Sequence, residues 1–189
     1  GGRAISMNPK VFTAGFKAVS YSASAGNLKP ELGSVFLYTK ENELVFAATD
    51  SFRLAEKRVL LKKGAEVPGI LVPVRNLGEV CRILEDTNSE VAVSLEKTQE
   101  SFAGEGFYVT SRIIDGAFPD YQQIIPKEHR TEAVALKEDI LQALRLATLF
   151  SDRFNQVRVK ADPVGKYLEF SSRRDDAGEN ASHIAAALT

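Results

Sequence analysis

The sequence predicts an α+β protein built from repeated β-α-β-β-β units, with antiparallel sheets outside and helices on one face. Three observations carry this expectation. A strand, a helix and three strands recur three times along the 189 residues, at intervals of roughly 60. Each repeat holds a single amphipathic helix, which needs a sheet face to cover. The strands come in runs of three joined by tight polar turns, which favours antiparallel hairpins over the parallel crossovers of an α/β fold. The repeats share no evident sequence identity, so the repetition lies in the order of elements.

In the first repeat, Asn8-Pro9 starts a helix, with Asn as N-cap and Pro at the first helical position. Val11, Phe12, Gly15, Phe16 and Val19 follow at helical spacing, while Lys10, Thr13, Lys17 and Ser24 fall on the other face. Residues 26–33, GNLKPELG, read as a loop. Strands are predicted at 34–40, 44–49 and 52–60. Residues 1–3, Gly1-Gly2-Arg3, read as a linker or cloning scar and are set aside from the fold.

The second repeat has a strand at 69–73 and a helix over 74–85 that buries Val74, Leu77, Cys81 and Leu84. Strands at 90–95, 101–106 and 107–114 follow. The third opens with a strand at 131–136 and a helix from Lys137 to about Phe150, burying Ile140, Leu141, Leu144 and Thr148. Strands at 155–161, 166–172 and 181–189 complete it.

Composition narrows the function classes. Hydrophobic residues make up 44% and charged residues 26%, as in an ordered globular protein. A net charge of −1 disfavours a protein that coats nucleic acid by bulk charge, while leaving room for a local basic stripe. One cysteine, Cys81, excludes an internal disulfide and a multi-cysteine zinc site. His129 and His183 are too few for a histidine-rich metal centre. No metal and no cofactor are therefore expected. The longest apolar run, residues 69–74, is far short of a bilayer span and contains a proline. No secretory signal pattern is visible, so a soluble protein of a reducing compartment is expected.

An enzymatic reading rests on Asp50, Asp115 and Asp120, which could cluster for acid–base or metal work. Asp50 stands where Asp initiates turns, however, and Asp115-Gly116 is a common turn dipeptide. Cys81 shares an apolar helical face with Leu77 and Leu84, the setting of an inert thiol. No P-loop, GxGxxG after a strand, HExxH or GxSxG is present. The helices say more. Lys10 and Lys17 lie two turns apart on one face, Arg75 and Arg82 repeat that spacing, and the third helix carries Arg145. These are either ordinary solvated faces or one surface that contacts phosphates without reading sequence.

Two stretches carry a resemblance. ATDSFRLA (48–55) resembles the ATDG-H/Y-RLA hairpin of the bacterial DNA polymerase III beta subunit family, the replicative sliding clamps. IDGAFPDYQQIIP (114–126) resembles the segment linking that family's second and third domains. One strand–helix–strands unit separates them, as the family requires. On this mapping residues 4–120 are the middle domain, 121–130 an interdomain linker, and 131–189 the first half of the third domain.

The resemblance implies a non-enzymatic DNA clamp fold. It implies two full-length subunits joined head to tail into a homodimer ring around double-stranded DNA, in the bacterial cytoplasm at the nucleoid and without membrane contact. Lys10, Lys17, Arg75, Arg82 and Arg145 become the DNA-facing candidates. It further implies a hydrophobic pocket for short linear peptides of the polymerase III alpha subunit, the clamp loader and repair proteins. Carried over by position, its residues are Leu32, Thr49, Arg53, Leu54, Pro119, Ile124 and Phe154, with Ser51 in the turn and Phe52 and Gln123 on the rim. Those last three depart from the family's glycine, histidine or tyrosine, and frequent arginine. Ser51 raises the question of whether the turn still needs positive φ, which Ser tolerates less well than Gly. The competing reading is a small-molecule-binding or hydrolytic α+β domain using Asp50, Arg53 and Asp120. A clamp relative serving only as a protein-interaction module is a third.

Overall fold

The side chain of Asn8 accepts the Lys10 N–H at 3.0 Å, and Pro9 occupies the first turn, so the first helix begins where the sequence places it. The computed structural model describes residues 3–26, 28–61, 66–96 and 98–189. They form β1 (Arg3–Met7), α1 (Pro9–Val19), β2 (Ser34–Lys40), β3 (Glu43–Thr49), β4 (Leu54–Leu60), β5 (Ile70–Pro73), α2 (Val74–Glu85), β6 (Val91–Leu95), β7 (Gln99–Gly104) and β8 (Phe107–Arg112). After a 3-10 turn at Tyr121–Gln123 come β9 (Ala133–Ala135), α3 (Lys137–Leu149), β10 (Arg158–Asp162), β11 (Tyr167–Arg174) and β12 (Gly178–Leu188). The chain divides into two compact units, Gly1–Asp120 and Tyr121–Thr189.

Within the first unit two repeats interlock. One antiparallel sheet runs β1-β6-β7-β8 and the other β4-β3-β2-β5. Each takes three consecutive strands from one repeat and the opening strand of the other, with Met7 opposite Val91 and Ser34 opposite Pro73. Neither repeat completes a sheet alone, which is why the strand order repeats in pairs.

The core of this unit is aromatic. Phe12 and Phe16 of α1 meet Phe46 of β3 and Phe102 of β7 edge to face, with ring centroids 4.4 to 5.8 Å apart. Such pairs add about 0.5–1.5 kcal/mol each beyond area burial. Gly15 makes the approach possible, since a Cβ there would lie 2.4 Å from Phe46 Cε2. From the second repeat, Leu77, Val80, Cys81 and Leu84 complete the cluster.

The second unit has one antiparallel sheet, β10-β11-β12-β9, in which β9 pairs with the long strand β12 of its own repeat. Its core is smaller: Ala143 and Ala147 of α3 rest on Leu168, Phe170, Ile184 and Ala186. Ser172 Oγ donates to the Ala147 carbonyl at 2.6 Å, tying β11 to the last turns of α3.

The differences from the sequence expectations are local. Arg3 belongs to β1, paired opposite Leu95, and not to a linker; Gly1 and Gly2 lie outside the described residues. Thr13 is buried, because α1 is covered on two sides by β3 and α2. Phe52 is in a turn and not in β4, which begins at Leu54. Leu141 and Leu144 are exposed and Thr148 bonds its own helix through Leu144, while the smaller alanines face the sheet. Val74 is only partly buried, and Val80 takes its share of the core.

Glu100 is a residue the sequence did not flag. It lies on β7 opposite Leu95 and Ser111, fully buried, with neither carboxylate oxygen hydrogen-bonded. Desolvation pushes its pKa up to about 8.

Candidate functional site

The turn joining β3 to β4 is closed by its own side chains. Thr49, buried at the end of β3, donates through Oγ1 to the Arg53 carbonyl at 2.7 Å. The same oxygen accepts the Ser51 N–H at 3.1 Å. Asp50 Oδ1 accepts the N–H groups of Phe52 and Arg53, both at 3.0 Å, and Oδ2 accepts Arg53 Nε at 3.1 Å. These backbone bonds hold the Asp50 carboxyl below its ordinary range. Both oxygens are committed to the turn, so Asp50 acts as a turn former. Ser51 sits at φ 77°, so the left-handed conformation that glycine would supply is kept by a serine.

This closure aims two side chains outward. Phe52 stands at the tip, 97% exposed. The Arg53 guanidinium is held by Asp50 on one side and lies 5.9 Å from the centre of the Tyr21 ring on the other. Tyr21 belongs to the 3-10 turn Ser20–Ser22, which packs on β3 and β4. The Leu32 carbonyl accepts the Ser24 N–H at 2.8 Å, tethering buried Leu32 to the segment just after that turn. Leu54, half-buried, opens β4 opposite Thr49.

The 114–120 segment is anchored to the same sheet. The Ile114 N–H donates to the Leu71 carbonyl at 2.8 Å, and Phe118 stacks on Phe36 with centroids 5.0 Å apart. Pro119 follows, exposed. Seven of the ten pocket candidates, Leu32, Thr49, Ser51, Phe52, Arg53, Leu54 and Pro119, thus lie in the first unit. Gln123, Ile124 and Phe154 lie in the second. There Gln123 ends the 3-10 turn Tyr121–Gln123, and Ile124 beyond it is exposed. Phe154 is also exposed, with the Arg153 guanidinium 4.8 Å above its ring.

The five cationic candidates are all exposed, Lys10 and Lys17 on α1, Arg75 and Arg82 on α2, Arg145 on α3. Two of them carry acidic partners. Lys17 pairs with Glu85 from α1 to α2, and that contact holds the ammonium above its ordinary pKa range. Arg82 pairs with Glu79 within α2 at 2.9 Å. Lys17, Arg82 and Glu85 line a shallow groove of about 200 Å³ between the helices, floored by Phe16, Leu77 and Cys81.

Burial pushes the Cys81 thiol up, away from the thiolate a nucleophile needs. Among the described residues no cluster of three His, Cys, Asp or Glu could hold a metal ion. No helix among them is long and apolar enough to cross a membrane. The hydrolytic reading of Asp50 and Asp120 finds no support: Asp50 is spent in its turn, and Asp120 is exposed.

Sequence reasoning missed Tyr21, Glu79 and Glu85. The signal for Glu79 was available, because an acid three residues before Arg82 on one helix is a standard pairing. Tyr21 and Glu85 meet their partners through tertiary packing and left no local signal.

The family model described as "DNA polymerase III beta subunit, central domain" matches residues 6–120. The beta sliding clamp of Bacillus subtilis is 30% identical over 173 residues, covering 88% of this chain and 44% of that protein. That of Synechococcus elongatus is 29% identical over 192 residues, covering 98% and 51%. The chain spans about half the length of these curated relatives. Among solved structures, the Bacillus subtilis sliding clamp aligns with TM-score 0.90 at 27% identity, over 100% of this chain and 50% of that one. The beta subunit from Pseudomonas aeruginosa shares the fold, with TM-score 0.91 at 19% identity, over 100% and 52%. With its repeated antiparallel units, its closed Thr49–Leu54 turn and a family match over most of the first unit, the chain belongs to the DNA polymerase III beta subunit family, the beta sliding clamps.

Proposed function

We propose that this chain is the part of a DNA sliding clamp that contributes one wall of the ring and most of a peptide-binding groove. In this reading residues 4–120 are the middle domain, 121–130 the linker, and 131–189 the first half of the third domain. At the length of its relatives the protein closes as a homodimer around duplex DNA and tethers the polymerase III alpha subunit, the clamp loader and repair proteins through short peptides. It performs no chemistry of its own and works in the cytoplasm at the nucleoid.

The observation that supports this best is the Thr49–Leu54 turn. The Thr49 hydroxyl and the Asp50 carboxylate are consumed internally, which leaves an exposed guanidinium and apolar side chains beside them. Such a surface takes apolar peptide side chains and fixes their direction by hydrogen bonds from Arg53. A hydrolytic site would instead direct unspent carboxylates at a substrate.

The test of the ring uses the protein extended to the full length of its relatives and loaded on nicked circular DNA. Retention after gel filtration, with release when the circle is linearised, is the expected result. Equal retention on linear and circular DNA would mean ordinary charge-driven binding and contradict the ring.

A further inference from the structure

Of the four cations on the paired helices of the first unit, two are neutralised where they stand. Lys17 meets Glu85 and Arg82 meets Glu79, whereas among the described residues no carboxylate pairs with Lys10 or Arg75. The neutralised pair flanks the groove between α1 and α2. We propose that Glu79 and Glu85 act as built-in competitors of the DNA backbone, so that Lys17 and Arg82 contribute little phosphate attraction and Lys10 and Arg75 contribute most of it. This deepens the clamp reading and rests on it, because it presumes that this helix face meets duplex DNA.

The physical basis is charge balance. All four partners are largely exposed, with side chains 44–75% accessible. Exposed ion pairs are worth only about 0–1 kcal/mol, so a phosphate can displace the glutamate. Displacement does not remove the glutamate, however. A phosphate at Lys17 then sits within a few ångströms of the Glu85 carboxylate, and at that range repulsion offsets much of the attraction. A cation without such a neighbour releases a condensed counterion when it meets a phosphate and gains the full term, a slope of about −0.9 per contact in log K against log salt. The consequence suits a ring held by topology: few strong phosphate contacts leave little to hold it at any one position.

The experiment measures binding of this 189-residue chain to a short duplex by fluorescence anisotropy from low to moderate salt. The variants are E79Q/E85Q, Lys10→Ala, Lys17→Ala, and Lys17→Ala in the E85Q background. We expect E79Q/E85Q to bind more tightly and to steepen the salt slope by up to about two, a difference of roughly tenfold in affinity lost between 50 and 200 mM salt. Lys10→Ala weakens the wild-type chain, Lys17→Ala leaves it nearly unchanged, and the same Lys17→Ala weakens the E85Q variant several-fold. The proposal is overturned if E79Q/E85Q matches the wild type in affinity and slope, whether both bind or neither does. It is also overturned if Lys17→Ala costs as much with Glu85 present as without it. Binding by all variants that is indifferent to Lys10 and Lys17 alike would instead remove the DNA-facing assignment itself.

Discussion

Thr49 Oγ1 lies 2.7 Å from the carbonyl oxygen of Arg53 and also accepts the Ser51 N–H, so one buried hydroxyl closes both sides of the turn. A hydroxyl is needed here because it can donate and accept at once. Thr49→Val keeps the shape and β-branching while stranding two backbone groups. It is expected to destabilise the first unit by about 1–3 kcal/mol in urea denaturation. Thr49→Ser, which keeps the oxygen, is expected to recover most of that loss.

Ser51 holds φ 77° without being glycine. An L-residue in the left-handed region carries roughly 1 kcal/mol of strain. Ser51→Gly is therefore expected to raise the free energy of unfolding by about 0.5–1 kcal/mol, while Ser51→Ala gives no gain. The comparison is made by parallel denaturant melts.

Gly15 is where α1 touches the ring of Phe46, and an added Cβ would meet Cε2 at 2.4 Å. Gly15→Ala would be favourable by helix propensity, by about 1 kcal/mol. The overlap decides the sign: the helix must lift or the phenylalanine must leave its rotamer, at a net cost of about 1–3 kcal/mol. Pairing Gly15→Ala with Phe46→Leu is expected to cost less than the two single losses added together, which a double-mutant cycle reads directly.

Glu100 gives the chain an unusual response to pH. Its folded pKa, about 8, lies above the ordinary 4.5, so the folded state binds the proton more tightly than the unfolded chain does. Between these values the folded state holds more protons. Stability therefore falls as pH rises, by up to about 1.4 kcal/mol per unit, and levels off above the folded pKa. Glu100→Gln removes the ionisation. The stability of the variant relative to wild type is expected to grow by about 2–2.5 kcal/mol from pH 5.5 to pH 7.5. A pH-independent difference would show that Glu100 is solvated in the folded protein.

What could be read in the sequence was whatever is encoded locally. Asn8-Pro9 fixes a helix start, the turn residues fix hairpins, and alternation fixes strands, so α1, α2 and most strands emerge within a residue or two. The exchange of β1 and β5 between sheets was not legible, because strand pairing over long separations is decided by which apolar faces meet. The buried face of α3 was misjudged for a related reason. Leu141 and Leu144 have the right spacing, yet in this chain they are exposed, and Ala143 and Ala147 rest on β11 and β12. Thr49, Arg53 and Leu54 were singled out through the ATDSFRLA resemblance, and the structure gathers them in one turn. That Ser51 keeps positive φ, that Tyr21 flanks Arg53, and that glutamates oppose Lys17 and Arg82 all required the packed structure.

The proposed peptide groove beside the Thr49–Leu54 turn is probed by titrating the isotope-labelled chain with a short Gln-Leu-x-Leu-Phe peptide and following its amide resonances. A groove at this turn gives saturable shifts at Leu32, Thr49, Arg53 and Leu54 that disappear in Arg53→Ala while the rest of the spectrum is preserved. Shifts confined to α1 and α2, or a wild-type spectrum unmoved at millimolar peptide, would contradict it.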